Sequence, residues 1–360
     1  MKTKFLSAAA VGLCLLAAPF AEGCTSMIVS AKASLDGRPI LWKHRDTSAD
    51  NNFLYRVDGQ GPLGYVALFN GAEELHLDEA WQGMNDAGFA IMNTVAYNLP
   101  ENAPDWVDRE GFVMARALSH CRTVDDFEAL LRELPKPLGV RTCFGVLDAD
   151  GNGAYFETDD YTWTRFDLKD APDGVLIRTN YAYSGEPDKG MGYIRHRNAE
   201  AVLAAQIASG SITPASLTEG LSRSFYHSVK GYDEAEGSDR WAVDQDFIPR
   251  HSSTASIAIE GIRAGESPGD IHMWANLGYP PCSHVVCVTL DSIPTEALPT
   301  SEKGAYSPLG LEASKRKADV FPLTKGNGKR YIDMDALRRI SEEQYSLSLE
   351  EYAGHRRQPR

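Results

Sequence analysis

"LLAAPFAEGCTSMIVSAK", residues 15–32, joins an apolar run to a β-like run across a single Gly-Cys junction, and the fold turns on what that junction is. The residues before it carry the three parts of an export signal in order. These are Lys2 and Lys4, an apolar stretch from Phe5 to Ala18, and small residues Ala21 and Gly23 at the junction. The stretch is too short to stay in a bilayer as a spanning helix, which needs roughly 20 apolar residues, and no later segment approaches that length. Residues 1–23 are therefore expected to be removed by signal peptidase, leaving Cys24 as the first residue of a periplasmic or secreted protein. A lipoprotein signal also ends at a cysteine, but with a Leu-like residue three positions before it. Ala21, Glu22 and Gly23 fit ordinary cleavage better than lipid attachment.

Composition narrows the partners. A net charge of -14 and a pI near 5.1 argue against nucleic acid, because a phosphate backbone needs a basic surface. Cys121, Cys143, Cys282 and Cys287 remain after Cys24 is set aside. An exported protein has the option of pairing them, but their spacing fixes no connectivity. There is no CxxC pair and no paired-histidine helix motif, so a structural zinc site is not expected.

Along the chain, "TSMIVSAKA" and "RPILWKHRD" read as strands around "SLDG", a turn with Asp36 and Gly37. "YVALFN", "FAIMNTVAY", "TCFGVLDADGNGAYFE", "WTRFD", "GVLIRTN", "SSTASIAIEG" and "HVVCVTL" read as further strands, and "GMNDAG" as a turn. Apolar residues recur at helical spacing from Arg109 to Leu134, with Thr123 placed to cap a second helix, and again in "IRHRNAEAVLAAQIAS". Strand runs around helical blocks favour α+β layering over a doubly wound sheet. One domain is expected over residues 24–345, ending in a helical segment, followed by a charged, disordered tail at 346–360.

The first hairpin gives Cys24 a chemical setting. A turn centred near Leu35 and Asp36 pairs residues whose numbers sum to roughly 70, which sets Asp46 beside Cys24. A free α-amine has a pKa of roughly 7.7 to 8, so part of it is unprotonated near neutral pH and able to take the proton of its own thiol. Asp46 would hold that amine and balance the ammonium it becomes. Cleavage would then create nucleophile and base in one residue.

"CTSMIVSAKASLDGRPILWKHRDTS" resembles the start of the N-terminal-nucleophile (Ntn) cysteine amidohydrolases, the group of choloylglycine hydrolase, penicillin V acylase, isopenicillin N acyltransferase and carcinine-hydrolase-like proteins. "WQGMNDAGFAIMNT" resembles that family's Gly-Met-Asn-x-x-Gly turn and Asn-bearing strand, and points to Asn93 as the oxyanion-hole asparagine. "LIRTN" points in the same way to Asn180, and "DFIPRHSSTASIAIEG" to an active-site Arg250. "MWANLGYPPCSH" is similar to a later segment of the acyltransferase-like branch. The resemblance implies an αββα sandwich of two antiparallel sheets between helical layers. It also implies hydrolysis of a small linear, non-peptide acyl-amide through an acyl-enzyme, with water or a second amine as acceptor, and no cofactor or metal.

Two departures from the family stand out. Bile-salt hydrolases carry Arg-x-x-Asp at the end of the second strand, whereas this chain has Lys43, His44, Arg45 and Asp46, so either Lys43 or Arg45 supplies the substrate-binding cation. The Asn-bearing strand is also about two residues shorter after its glycine, which weakens a bile-salt substrate. Each residue has a plainer reading as well. The alternative for Cys24 is the lipid anchor of an exported binding protein without catalysis, and for Asn93 and Asn180 it is strand-end turn formers. Asn85 is read as a turn residue, and a Cys24–His44 dyad of the papain type is the rival catalytic arrangement.

Overall fold

The computed structural model describes residues 23–72, 75–103, 107–300, 306–324 and 330–357. The expected export signal, apart from Gly23, lies outside the described residues. The strands in chain order are β1 (Thr25–Val29), β2 (Ile40–Asp46), β3 (Asn52–Val57), β4 (Tyr65–Asn70), β5 (Gln82–Asn85), β6 (Ala90–Val95), β7 (Thr142–Leu147), β8 (Gly153–Thr158), β9 (Trp163–Asp167) and β10 (Val175–Arg178). Short pieces β11 (Tyr226–His227), β12 (Tyr232–Asp233) and β13 (Trp241–Val243) follow, then β14 (Ser253–Glu260), β15 (His272–Leu277), β16 (Val285–Thr289), β17 (Leu323–Thr324) and β18 (Arg330–Asp333). The helices are α1 (Glu110–His120), α2 (Val124–Glu133), α3 (Tyr193–Ser209), α4 (Pro308–Val320) and α5 (Met334–Arg357).

Two antiparallel sheets form the centre. One has the order β10-β1-β2-β14-β15-β16, and the other is a seven-stranded meander from β3 to β9. Ile28, Leu41 and Ile257 of the first meet Leu68, Met84 and Met92 of the second in a dry layer between them. On the outside of the meander, Phe53, Phe69, Phe144 and Phe156 are covered by Val113 and Leu118 of α1 and Phe127 and Leu131 of α2. On the outside of the first sheet, Met27, Trp42 and Ile177 are covered by Ala199 and Leu203 of α3. Strands buried on both faces cannot alternate apolar and polar residues. "TSMIV" accordingly has no exposed position, and its Ser26 is bonded to Thr94 Oγ1 across the layer at 2.7 Å. The expected α+β class and αββα layer order are what the structure contains. Among the described residues no helix is long and apolar enough to cross a membrane.

Local signals read from sequence are matched where they concern short-range chemistry. Thr123 caps α2, its side chain accepting from the Asp126 amide while Asp126 returns the bond, a full capping box. Elsewhere the expectations need correction. "GMNDAG" is not wholly a turn, since its first residues belong to β5. The tail expected to be disordered from 346 continues as helix to Arg357. It is held there because Tyr352 is buried against Trp274, with ring centroids 4.2 Å apart, and Ser348 Oγ accepts from the Val285 amide at 3.0 Å. Cys24, Cys121, Cys143, Cys282 and Cys287 are all free thiols, so the option of disulfides is not taken up.

Candidate active site

Cys24 stands immediately before β1 and is 6% exposed. In the β1–β2 ladder Thr25 faces His44 and Ser26 faces Lys43, so paired numbers sum to 69 and not 70. Extending the ladder by one pair sets Arg45 opposite Cys24 and Asp46 opposite Gly23. Asp46 therefore lies against the peptide whose cleavage would create the new amine, one residue further along than the turn argument placed it. The difference arises because the strands are joined by the long segment 30–39 and not by a tight turn on "SLDG", with Ser34 pairing instead with Ile212. The Cys24 thiol points to the carbonyl of Asp46, with Sγ 3.8 Å from the oxygen.

The Asp46 carboxylate is enclosed. Arg250 donates to Oδ2 from Nη2 at 2.5 Å and from Nε at 3.2 Å, and Ser253 Oγ donates to Oδ1 at 2.6 Å. The same Arg250 Nη2 donates to the carbonyl of Gly23 at 2.7 Å, so one guanidinium spans the junction peptide and the carboxylate. Ser253 reaches Asp46 because β14 is irregular there: Ser253 pairs with Asp46 while Ala255, not Thr254, pairs with Arg45. Ser253 Oγ also accepts from the Arg250 amide at 2.9 Å and contacts His44 Nε2 at 2.8 Å.

A second guanidinium, not foreseen from the sequence, holds the other side. Arg195 of α3 donates from Nη1 to the Cys24 carbonyl at 2.6 Å and to Thr25 Oγ1 at 3.0 Å, and from Nη2 to Asn180 Oδ1 at 2.5 Å. Asn180 donates in turn to the Val95 carbonyl at 2.8 Å. Burial and the nearby Arg250 bring Arg195 down to about 10, which still leaves it charged at neutral pH. Nothing in "IRHR" marks Arg195 over its neighbours; it is selected by the packing of α3 on the first sheet.

Lys43 shares with Ser26 and Cys24 the face turned to the second sheet. Its ammonium donates to Asn93 Oδ1 at 2.5 Å and to the Trp81 carbonyl at 3.1 Å, and Asn93 Nδ2 donates to the carboxyl of Glu110. Arg45 is directed elsewhere. Its guanidinium donates to Asn52 Oδ1 at 2.7 Å and Asn70 Oδ1 at 2.8 Å and lies 5.1 Å from the centre of the Trp81 ring. Of the two candidate cations Lys43 is the stronger influence on the thiol. Each primary amide has two N–H groups. Asn93 and Asn180 have each committed one, and the second has no acceptor among the described residues. Asn85 bonds only backbone groups, as its turn reading requires.

Burial pushes the Cys24 thiol above its ordinary value, and the Lys43 charge opposes that without cancelling it. Such a thiol needs a base to become a thiolate. His44 is not that base. Burial brings it down to about 4, its Nε2 is occupied by Ser253, and it makes no bond to Cys24. Because the folded His44 titrates below its ordinary 6.5, the unfolded chain takes up a proton first as pH falls. The stability that neutral His44 contributes is thus complete above about pH 6.5 and lost toward pH 4. A His44→Asn protein should show a shallower fall in Tm over that interval than the native protein, measured by melts at several pH values. Equal slopes would mean that His44 is not the buried neutral group described here.

No protein-family model matches the chain, and neither does any curated protein. Among solved structures it is similar to a variant of the conjugated bile acid hydrolase from Clostridium perfringens, with a TM-score of 0.44 and 12% identity over 75% of this chain and 94% of that one. It is also similar to the Caenorhabditis elegans ortholog of N-acylethanolamine-hydrolyzing acid amidase, with a TM-score of 0.41 and 12% identity over 68% and 93%. A third is the penicillin V acylase of Agrobacterium tumefaciens, with a TM-score of 0.39 and 10% identity over 75% and 87%. At these scores the likeness is one of general layout, and the chemistry of the site stands on the residues of this chain. Among the described residues, no group of three or more His, Cys, Asp or Glu side chains is placed to hold a metal ion.

Proposed function

We propose that this protein is an exported Ntn cysteine amidohydrolase that cleaves small linear acyl-amides, with Cys24 as nucleophile and its own α-amine as base. The observation that carries the reading is the clustering of Asp46, Arg250 and Ser253 around the Gly23–Cys24 peptide, next to a buried thiol that bonds no side-chain base among the described residues. Once Gly23 is removed, the free amine takes the thiol proton and the thiolate adds to the substrate carbonyl carbon. The tetrahedral oxyanion is met by the uncommitted N–H groups of Asn93 and Asn180, each such donor being worth about 2.7 to 4 kcal/mol of barrier. The C–N bond breaks, the leaving amine takes the proton from the Cys24 ammonium, and an acyl-thioester remains. Water, or a second amine, then attacks that thioester and releases the acyl group and the thiol. Lys43 stabilises the thiolate, and Arg195 holds the Cys24 carbonyl and Asn180 in register. The proposed location is the periplasm or the exterior, after signal peptidase has acted.

The rival reading, a binding protein lipidated at Cys24, excludes this chemistry, because an N-acylated amine is no base and a thioether sulfur is no nucleophile. The reading is tested by amine release from a panel of linear acyl-amides by the mature protein and by Asp46→Asn. That variant keeps the shape of the carboxylate but removes the charge that balances the ammonium. Turnover should fall by about 10² or more, the usual scale for a positioned acid-base partner. Asp46→Asn turnover within about twofold of native would mean that another group holds the amine.

A further inference from the structure

One buried carboxyl is left without a role by this chemistry. Glu110 opens α1, is 1% exposed, and makes no ion pair among the described residues. Thr142 and the Arg141 backbone of the β7 approach lie against it, the charged or titratable groups that bear on it are Asp108 before α1 and Cys143 on β7, and Lys43 stands on the far side of Asn93. Burial and Asp108 push it up to about 8, so it is carried mostly neutral at pH 7. A buried, uncompensated acid is expensive to keep, and the bond it makes is informative. It accepts from Asn93 Nδ2, which turns Asn93 Oδ1 toward Lys43 Nζ. A primary amide rotated by half a turn would offer N–H groups to an ammonium, which accepts nothing. The acceptor at the Glu110 end therefore decides which way the amide faces.

We propose that Glu110 is a positioning residue of the thiol site, fixing the direction of the Asn93 amide and, through Asn93 Oδ1, holding the Lys43 ammonium beside Cys24. The inference rests on the reading of Cys24 as nucleophile and adds a control to it. While Glu110 is neutral, it adds nothing to the burial and the Asp46 charge that the Lys43 charge works against at the thiol. When Glu110 ionises, a negative charge is added two hydrogen bonds from the thiol's cation and thiolate formation becomes harder.

The test reads the thiol and not turnover: the rate at which iodoacetamide alkylates Cys24 in the mature protein, from pH 6 to 9, with the site located by peptide mass. In the native protein the rate should climb with pH and flatten near pH 8 as Glu110 ionises. Glu110→Gln keeps an acceptor for Asn93 without the charge, so its rate should go on climbing where the native rate flattens. Titration of the Cys24 amine is common to both proteins and cancels in the comparison. Glu110→Ala should slow alkylation at pH 7 by about tenfold, one pKa unit's worth, and Glu110→Gln by less. A native rate in a Glu110→Ala protein with an unchanged melt, or the same flattening in Glu110→Gln, would overturn the proposal. Should Glu110→Ala fail to fold, the Glu110→Gln profile alone decides. Because alkylation needs no substrate, failure of the amidase reading would show in amine release and not here.

Discussion

Cys24→Ser is expected to leave the protein exported and folded and to reduce acyl-amide turnover by about 10³-fold or more, since loss of a nucleophile is among the costliest single changes in an acyl-transfer site. Serine fits the space, since its hydroxyl is no larger than the thiol it replaces beside the Asp46 carbonyl, and the Arg195 bond is to the Cys24 backbone and is kept. What is lost is acidity. A hydroxyl in a site that already raises a thiol by burial is far harder for an α-amine to deprotonate. Amine release from a native substrate, followed beside a thermal melt, measures both halves. Full turnover in a folded Cys24→Ser protein would remove the nucleophile from the account.

Retaining Gly23 should be nearly as damaging, through the base and not the nucleophile. A chain begun at Met-Gly-Cys24 and made in the cytoplasm meets no signal peptidase, so Cys24 keeps an amide in place of an amine, and an amide takes up no proton at neutral pH. The fold should be unaffected, because Gly23 is accommodated with its carbonyl on Arg250 Nη2 and the Asp46 cluster intact. Turnover should fall by about 10² to 10⁴, the range for removing a general base, while Cys24 still alkylates. Normal turnover with Gly23 present by mass would contradict the amino-terminal mechanism.

The parts of this site that were legible in the sequence are those set by neighbours in the chain. Cys24 and Asp46 come together because two β-like runs with a turn between them pair antiparallel wherever the details of the turn fall, whereas Lys43 and Arg45 are reached through the family's Arg-x-x-Asp. The register came out one residue off, since segment 30–39 is a loop tied to Ile212 and its length, not "SLDG", sets the pairing. That slip matters little for proximity, since Asp46 is expected to hold the Cys24 amine and lies one residue further along, against the Gly23–Cys24 junction, with its carbonyl 3.8 Å from the thiol. Asn93, Asn180 and Arg250 were reached only by resemblance; Asn180 is joined to the Cys24 carbonyl through Arg195, Arg250 bonds the Gly23 carbonyl and Asp46, and Asn93 bonds Lys43. Ser253, Arg195 and Glu110 carried no signal. Ser253 depends on an irregularity in β14, Arg195 on the docking of α3, and Glu110 on the meeting of α1 with β6 and β7, all long-range events that local pattern does not encode. In the fold, β3 and β15 were missed for a related reason. "NFLYRV" and "HMWANL" are short, follow polar stretches, and become strands because neighbours on the sheet supply their partners.

The central claim is that the working protein begins at an unmodified Cys24 with both amine and thiol free. Intact mass of the exported protein, followed by peptide mass of its amino terminus after iodoacetamide, tests that directly. The account predicts a chain starting at Cys24 with a free α-amine and one alkyl group on its sulfur. A terminus carrying a diacylglyceryl thioether and an N-acyl group, or one retaining residues before Cys24 in a fully active protein, would contradict it.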